Sequence, residues 1–376
     1  MTTGAILPPP RWEDYVLESG ANLIEFFRSH FSVPRDVCFV LGKGFDPRMC
    51  SGVEALTQIG GKGRRDVVVI EYDEGAASPS NVYQSFVERN LRRLRGLVSA
   101  KAISSRSVKM FSEDGRRTTS RSAEGLFTSI DEFKPYGDVI VDISAMPRGI
   151  YVPLIAKCLH LIDTSSRKDI NLHVIVSESP HLDGQIYDEG PDETADYIHP
   201  FRGGSDREGS GKQPRVWIPI LGEGQVVQLK RIYDLVVPDE IAPLMPSPSL
   251  DPRRGDDLAY EYRELLFDQL RVEPRNFIYA SERNPFEAYR QLRQAIGHYQ
   301  LALAPLGGCL SVLSVVSTKL LSISALLAAY ELKQAKINIG IAHVESQGYR
   351  ADESCFEMKN AQAVLFGMVL TGEYYA

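Results

Sequence analysis

A succession of short apolar runs, most of them closed by turn residues and followed by a helical pattern, constrains this chain more than any other feature. Val37–Leu41 ends at Gly42-Lys43-Gly44, and Asp138–Ile143 ends at Ser144-Ala145-Met146-Pro147-Arg148. Runs bounded in this way and alternating with helices are typical of a parallel sheet covered on both faces. The other predicted strands are Val67–Tyr72, Asn171–Ser177, Arg215–Leu221, Asn276–Ala280, Leu310–Val316 and Ile337–Val344. The predicted helices between them are Ser80–Leu97, Ile150–Ile162, Gln225–Leu235, Phe286–Tyr299 and Leu320–Leu332.

The pattern stops and restarts once, which predicts an α/β protein of two Rossmann-like parallel-sheet halves in tandem. The interruption is rich in Gly, Asp, Glu, Ser and Arg and has no sustained apolar period, as expected of a linker. A chain of 376 residues is long enough for two domains. The predicted organisation is an N-terminal helical segment at 1–35 with a helix over Trp12–Phe31, a first half at 36–180, an irregular linker at 181–214 and a second half at 215–376.

Composition excludes several classes of protein. Apolar residues make up 43% and charged residues 24%, as in ordinary globular proteins. The net charge of −7 provides no overall cationic field for general nucleic-acid binding. The five cysteines have no CxxC spacing, which argues against a disulfide framework or a zinc ribbon and favours a reducing compartment. We therefore predict a cytoplasmic protein that does not bind nucleic acid in general.

The apolar stretch from Leu301 to Tyr330 raises the question of a membrane span. Pro305, Gly307 and Lys319 interrupt it, so a strand, a tight turn and a buried helix explain it better than about 20 continuous apolar residues. The beginning of the sequence also lacks the basic-then-apolar layout of a signal peptide. No membrane partner is predicted.

Loops at the predicted strand ends are the candidate ligand-binding segments. In open parallel sheets, ligands bind outside the carboxyl ends of the strands. Glycines there allow close approach of the backbone, and helix N-termini with Arg or Lys attract anions. The predicted ligand is therefore small, anionic and nucleotide-like. Its candidate contacts are Gly42, Lys43, Gly44, Asp46, Arg48, Ser144, Arg148, Gly222, Gly224, Glu282, Arg283, Ser317, Thr318 and Lys319.

Each of these loops also has a purely structural interpretation. Asp46 can pair with Arg48 across the turn that holds both. Ser144 can cap the following helix, and Arg148 can pair with a nearby aspartate. Lys319 enters an apolar helix, where its ammonium group requires either solvent or an anion. The residues alone leave both interpretations open.

Recognised catalytic and metal-binding motifs are absent from the sequence. GxSxG, HExxH and the deaminase signature do not occur, and Gly42-Lys43-Gly44 completes neither a Walker A motif nor GxGxxG. The histidines are dispersed, and His160, His173 and His343 are interpreted as core residues because they lie within predicted helices or strands. No cofactor and no metal site are predicted.

One segment resembles a known family. The strand ending in Asp142-Ile143-Ser144-Ala145-Met146-Pro147-Arg148, followed by an apolar helix, resembles the ligand loop of CARF domains, and Ser317-Thr318-Lys319 is similar. Two such units in one chain also resemble the SAVED domain, which looks like a fused CARF pair. The Thr-Gly-Gly-Thr-Lys run usual in such loops is absent at both places. The resemblance implies a sensor of cyclic nucleotides or cyclic oligonucleotides in prokaryotic antiviral defence.

Three functions are therefore compatible with the sequence. The first is a nucleotide-binding regulatory protein of a defence system. The second is an enzyme that hydrolyses a nucleotide or other phosphorylated substrate, or transfers a group on it, with Asp46, Asp142 or Glu282 as acid or base. The third is a non-catalytic subunit of a larger defence assembly, with a protein partner or a second copy of itself.

Overall fold

The chain folds into two compact α/β units. The computed structural model describes residues 7–203, 213–356 and 363–375. The first unit comprises residues 14–190 and 346–376, and the second comprises residues 1–13 and 191–345. Each unit contains a largely parallel sheet flanked by helices, so the predicted fold class is confirmed.

The secondary structure follows the chain in order. The strands are β1 (Val16–Ser19), β2 (Val37–Gly42), β3 (Arg65–Asp73), β4 (Ile103–Lys109), β5 (Asp138–Asp142), β6 (Asn171–Glu178), β7 (Ile186–Pro191), β8 (Asp196–Arg202), β9 (Arg215–Ile220), β10 (Glu240–Ile241), β11 (Leu244–Pro246), β12 (Ile278–Ala280), β13 (Leu310–Val315), β14 (Ile339–His343), β15 (Ser346–Ala351) and β16 (Val364–Val369). The α-helices are α1 (Gly20–His30), α2 (Ser51–Ile59), α3 (Gln84–Leu97), α4 (Thr119–Glu124), α5 (Arg148–Asp163), α6 (Pro180–Asp183), α7 (Val226–Val236), α8 (Arg254–Glu261), α9 (Pro285–Ala302) and α10 (Lys319–Gln334).

The sheet of the first unit has the strand order β1-β16-β6-β5-β2-β3-β4. Strands β2 to β6 are mutually parallel, whereas β16 runs antiparallel to β6, and β1 runs antiparallel to β16. Every residue of β2 and of β5 is buried, which explains their continuous apolar runs. The chain moves from β2 outward to β3 and β4, then returns to β5 on the other side of β2. The strand order of this unit therefore reverses between β2 and β5.

The sheet of the second unit has the order β12-β11-β9-β13-β14-β8, with β10 paired to β9. Here β9, β11, β12, β13 and β14 are parallel, and β8 runs antiparallel to β14. The chain moves outward from β9 to β11 and β12 and returns to β13 on the other side of β9. Both units thus share the order 3-2-1-4-5 for their parallel strands, which is that of the Rossmann fold.

Each unit has its own apolar core beside its sheet. In the first unit, Phe27 of α1 and Val53 of α2 pack with Phe39 and Ile140 of the central strands. In the second unit the core is centred on Trp217 of β9. Its partners there include Leu229, Ile232, Tyr262, Leu266 and Val312. Four cysteines, Cys38, Cys50, Cys158 and Cys309, are buried and not in disulfides.

The predicted helix over Trp12–Phe31 is wrong at its beginning. Residues Val16–Ser19 form β1, which pairs with β16, and α1 begins only at Gly20. The first six residues of the predicted N-terminal segment lie outside the described residues. The helical prediction failed there because apolar residues at Tyr15 and Leu17 fit a strand as well as a helix.

The predicted linker at 181–214 and the end of the predicted second half also differ from the structure. The supposed linker contains part of α6 and the strands β7 and β8; its residues 204–212 lie outside the described part. The segment after residue 345 joins the first unit, because β15 pairs with β7 and β16 pairs with β6. Pairing with strands so far away in sequence leaves no local signal.

The apolar stretch from Leu301 to Tyr330 forms the end of α9, a turn at Gly307 and Gly308, strand β13 and most of α10. This matches the predicted strand, turn and buried helix. Across the described residues, the structure contains no helix with the length and apolar character that a bilayer crossing requires.

Candidate functional site

The strand order brings two of the predicted loops together at the carboxyl edge of the first sheet. Strands β2 and β5 are parallel neighbours, with Leu41 in register with Asp142. The loop after β2 carries Gly42-Lys43-Gly44, and the loop after β5 carries Ser144 and leads to Arg148. Because the strand order reverses between these two strands, their ends border the crevice in which doubly wound folds bind ligands. We call this place the first crevice.

Glycines allow the two loops to touch. A Cβ atom on Gly42 would lie 3.2 Å from the carbonyl oxygen of Ala145, and one on Gly44 would lie 3.4 Å from the same oxygen. The Tyr72 hydroxyl donates a hydrogen bond to this oxygen at 3.1 Å, which ties β3 to the same point. The glycines were predicted to admit a ligand. In the structure the neighbouring loop packs against them, so the two predicted segments together form one wall of the first crevice.

Asp46 and Arg48 form a buried ion pair. The Arg48 guanidinium donates to both carboxylate oxygens of Asp46 at 2.8–3.2 Å and to Asp183 at 2.6 Å, and it is 3% exposed. Burial acts to lower the pKa of Arg48, but the charges of Asp46 and Asp183 outweigh it and raise that pKa above its ordinary value. The structural interpretation of this pair therefore fits the geometry better than the predicted ligand contact.

Ser144 is also directed inward. Its hydroxyl accepts a hydrogen bond from the backbone N–H of Ser177 at 2.9 Å, and the residue is fully buried. The neighbouring Asp142 carboxylate accepts from the N–H groups of Gly52 (3.1 Å) and Ser144 (2.9 Å). The N-cap of α5 is Pro147 and not Ser144. Ser144 and Asp142 thus connect β5 to β6 and α2 and do not line an open surface.

Lys43 and Arg148 are the cations at the mouth of the first crevice. Lys43 Nζ lies 3.3 Å from a carboxylate oxygen of Glu71, and its side chain is 29% exposed. Arg148 is the partly buried first residue of α5, whose N-cap Pro147 makes no side-chain capping bond. Burial raises the pKa of Tyr349 well above its ordinary value, and the charge of Arg148 opposes that rise. The two loops therefore bring two cations and a helix N-terminus without a side-chain cap to the edge of the first crevice.

The second unit has an equivalent place between β9 and β13. Ile220 of β9 is in register with Val315 of β13, so the loop Gly222–Gly224 meets the loop Ser317–Lys319. A Cβ atom on Gly222 would lie only 2.3 Å from the carbonyl oxygen of Val316, and no real Cβ atom comes so close. The Tyr262 hydroxyl donates to the carbonyl oxygen of Gly222 at 2.6 Å. We call this place the second crevice.

Carboxylates dominate the second crevice. Arg254 at the start of α8 pairs with Glu223 at 2.5–2.6 Å and with Glu282, which is 9% exposed. The N–H of Gly224, which has a φ of +72°, donates to Glu261 at 2.8 Å. Burial raises the pKa of Glu261; the hydrogen bond from Gly224 opposes this effect and the charge of Glu223 adds to it. Two carboxylates therefore pair with one guanidinium, and a third carboxylate, that of Glu261, accepts from the backbone of the same loop.

The remaining predicted residues lie at helix starts of the second unit. Thr318 is the N-cap of α10, and its hydroxyl accepts a hydrogen bond from Leu321 N at 3.3 Å. Lys319 is the partly buried first residue of that helix, next to the partly buried Ser317. Arg283 immediately precedes Asn284, which caps α9 by accepting from two backbone N–H groups at 3.1 Å.

Sequence reasoning missed some members of both crevices. Tyr72 lies near the end of β3, between Glu71 and Asp73, and its position in a predicted strand gave no reason to single it out. Arg254 and Glu223 lie in polar loops of the sequence, but nothing in the sequence indicates that they pair with each other across 31 positions. The described residues also contain one group that could hold a metal ion, which is His30, Asp138 and His173. That group includes Asp138, the first residue of β5, and so lies at the opposite edge of the sheet from the first crevice.

Comparison with known proteins adds little. No protein-family profile matches the chain, and no curated protein matches it. Among solved structures it is similar to a chain described as a universal stress protein from Pseudomonas aeruginosa UCBPP-PA14, with 10% identity and a TM-score of 0.22, over 83% of this chain and 94% of that one. A TM-score this low carries no argument about function.

Proposed function

We propose that the first crevice binds a small anionic, nucleotide-like ligand and that the protein is a nucleotide-sensing regulatory protein. The observation that carries the proposal is that the loop carrying Lys43 touches the loop leading to Arg148 and the start of α5, at the point where the strand order reverses. Backbone N–H groups at a helix start and a planar guanidinium are both suited to phosphate oxygens. Tyr72 and Tyr349 provide aromatic groups in the same unit for a base or a sugar.

The second crevice is the weaker candidate for an anion. Glu223 and Glu282 pair with Arg254 there, and Glu261 binds the N–H of Gly224, so three carboxylates lie at this crevice. The first turn of α10 already receives a hydrogen-bond acceptor from Thr318, whereas the N-cap residue of α5 provides none. Since both units share one strand order, this difference in side chains is what favours the first crevice.

A sensor fits the geometry better than an enzyme. The three carboxylates considered as acid or base are engaged in other contacts: Asp46 with Arg48, Asp142 with backbone N–H groups, and Glu282 with Arg254. A general base requires a carboxylate that can reach the substrate proton. The resemblance of the Asp142–Arg148 segment to CARF ligand loops supports cyclic nucleotides or cyclic oligonucleotides as the ligand class, and prokaryotic antiviral defence as the setting.

The test is a binding screen of the full-length protein against mono-, di- and cyclic nucleotides and cyclic oligonucleotides, followed by calorimetry on any ligand that raises the melting temperature. We expect Arg148→Ala to weaken binding about ten- to hundred-fold, because a hydrogen bond to a charged group contributes roughly 1.5–3 kcal/mol. Lys43→Ala should weaken binding less.

Arg95→Ala is the matched control, because Arg95 is an exposed arginine on α3 of the same unit. It should bind as the wild type does. Equal binding by Arg148→Ala and wild type, or the absence of any nucleotide that binds, would refute the proposal. Chromatography of each mixture completes the test, since consumption of a bound ligand would identify an enzyme in place of a sensor.

A further inference from the structure

A buried cluster of two histidines and one aspartate lies at the amino-terminal edge of the first sheet. His30 is the last residue of α1, Asp138 is the first residue of β5, and His173 lies near the beginning of β6. Their side chains are 1%, 0% and 1% exposed. Burying three ionisable groups together is costly unless each is compensated by a partner. The cluster takes no part in the proposed nucleotide site.

Three polar contacts within the cluster converge on one oxygen atom, Asp138 Oδ1. His30 Nε2 lies 2.7 Å and His173 Nε2 lies 2.9 Å from Asp138 Oδ1, and the amide of Asn171 donates to the same oxygen at 3.1 Å. The other carboxylate oxygen, Oδ2, is buried and accepts no hydrogen bond from the described residues. The nearest cation to it is Arg35, whose Nη1 lies 3.8 Å away. Oδ1 of this carboxylate therefore has three polar contacts, whereas Oδ2 accepts no hydrogen bond from the described residues.

These separations suit ligands of one metal ion. The three donor atoms all lie within 4.8 Å of one another. An ion with bonds of about 2.1 Å holds neighbouring ligands about 3.0 Å apart at right angles and about 3.4 Å apart in a tetrahedron. The contacts of 2.7 and 2.9 Å need an expansion of a few tenths of an ångström to reach these spacings.

The surroundings of His30 also match those of a metal ligand. Its other ring nitrogen, Nδ1, lies 2.9 Å from the hydroxyl of Tyr374 and 3.3 Å from a carboxylate oxygen of Glu373. Metal-binding histidines usually direct their second nitrogen to a carboxylate or another acceptor, which fixes the ring and strengthens it as a ligand. Arg35, the cation nearby, is itself bound by both oxygens of Glu373 at 2.8 and 3.0 Å.

We propose that His30, Asp138 and His173 bind one divalent transition-metal ion as a structural site of the first unit. Two imidazoles and a carboxylate, without a thiolate, are donors suited to zinc, iron, cobalt or nickel and not to magnesium or calcium. Because the donors come from α1, β5 and β6, and Glu373 and Tyr374 support them, the ion joins four separate segments of one unit. Metal binding of this kind contributes directly to the folding free energy.

The test uses the full-length chain without an affinity tag. Elemental analysis of the purified protein comes first, and then dialysis against a chelator and titration with Zn²⁺ or Co²⁺. We expect one equivalent of metal per chain, a melting temperature that falls on chelation and recovers on Zn²⁺ addition, and visible Co²⁺ absorption from nitrogen and oxygen ligands. His173→Gln retains an amide that can donate to Asp138 but removes the imidazole ligand, so it should fold and lose stoichiometric metal.

His298→Gln is the matched control, because His298 is an exposed histidine of α9. This variant should bind metal as the wild type does. If His173→Gln does not fold, His30→Gln and the Co²⁺ spectrum of the wild type replace it. A folded wild-type chain that takes up no stoichiometric Zn²⁺ or Co²⁺, or a His173→Gln variant that binds as much as the wild type, would show that the three residues form a hydrogen-bonded cluster only.

Discussion

Two arginines in similar local sequences have different surroundings. Arg48 and Arg148 both follow a proline shortly after a buried strand. Arg48 is enclosed by Asp46 and Asp183, whereas Arg148 is the partly buried first residue of a long helix. The deciding contact is with Asp183, which lies 135 positions from Arg48. Local sequence therefore identifies both arginines as candidates but does not separate the structural one from the one proposed to bind a ligand.

The residue-scale prediction concerns Arg48. Replacing it in the Arg48→Met variant leaves Asp46 buried without its cation, and breaking a buried pair from one side costs about 3–5 kcal/mol. Urea denaturation should show a loss of that size in the free energy of unfolding. Arg95→Met, at an exposed site of the same unit, should change stability by less than about 0.5 kcal/mol. A loss for Arg48→Met no greater than that of the control would contradict the buried-pair interpretation.

At the scale of elements, the beginnings of helices and turns carry much of the specific chemistry. Thr318 caps α10 and Asn284 caps α9. Ser129 and Glu132 form a capping box at the short 3-10 helix Ile130–Phe133. The Glu132 carboxylate accepts from the N–H groups of Thr128 (2.7 Å) and Ser129 (3.1 Å) and pairs with Arg106 at 2.6 Å. Burial acts to raise the pKa of Glu132, but these bonds together lower it.

The element-scale prediction is a pH dependence at Glu132. Because the pKa of Glu132 is lower in the folded state, its ionised carboxylate stabilises the fold at pH values above the ordinary pKa range of glutamate. This stabilisation is lost as the pH falls through that range and below it. Glu132→Gln should lose up to about 1 kcal/mol at neutral pH and differ less from the wild type near pH ~3. Urea denaturation at both pH values measures the difference. Glu113→Gln, at an exposed glutamate, should show no such trend; a pH-independent loss for Glu132→Gln would be inconsistent with the assignment.

Sequence patterns predicted the elements that are buried on both faces and missed those defined by distant pairing. Strands such as β2, β5 and β13 appear close to the predicted bounds, because a continuous apolar run is itself the signal. By contrast, β1 and β16 are strands because of their pairing partners: β16 pairs with β1 and with β6. The convergence of strand-end loops followed from parallel topology, and the pairing of Asp46 with Arg48 was among the interpretations of the sequence. The contacts of Arg48 with Asp183, of Ser144 with Ser177 and of Arg254 with Glu223 did not follow, since each joins segments far apart in sequence.

At the scale of the whole molecule, the first unit is discontinuous. Residues 14–190 form most of it, and residues 346–376 complete it. Strand β16 lies between β1 and β6 and pairs with both. Within the described residues β1 pairs with no strand other than β16. The place of β1 in the sheet therefore depends on a segment that follows residues 191–345 in the sequence.

The corresponding prediction concerns removal of residues 363–376. Hydrogen exchange of the shortened chain should become faster in β1 and β6, because both lose the hydrogen bonds of β16. Exchange in β9, β13 and β14 of the second unit should remain slow. A chain that ends at Leu370 retains β16 and should keep the protection of β1. Equal protection of β1 in the two shortened chains would contradict this account.

The discontinuity of the first unit has a consequence during synthesis. The ribosome completes residues 191–345 before it reaches the segment that β1 and β6 require. Until then the nascent first sheet has an open edge at β6, where unpaired N–H and C=O groups can recruit a foreign strand. The strands of the second sheet all lie within residues 191–345, so they are all synthesised before β16 of the first sheet. The order of translation thus makes the earliest-synthesised sheet the last to be completed.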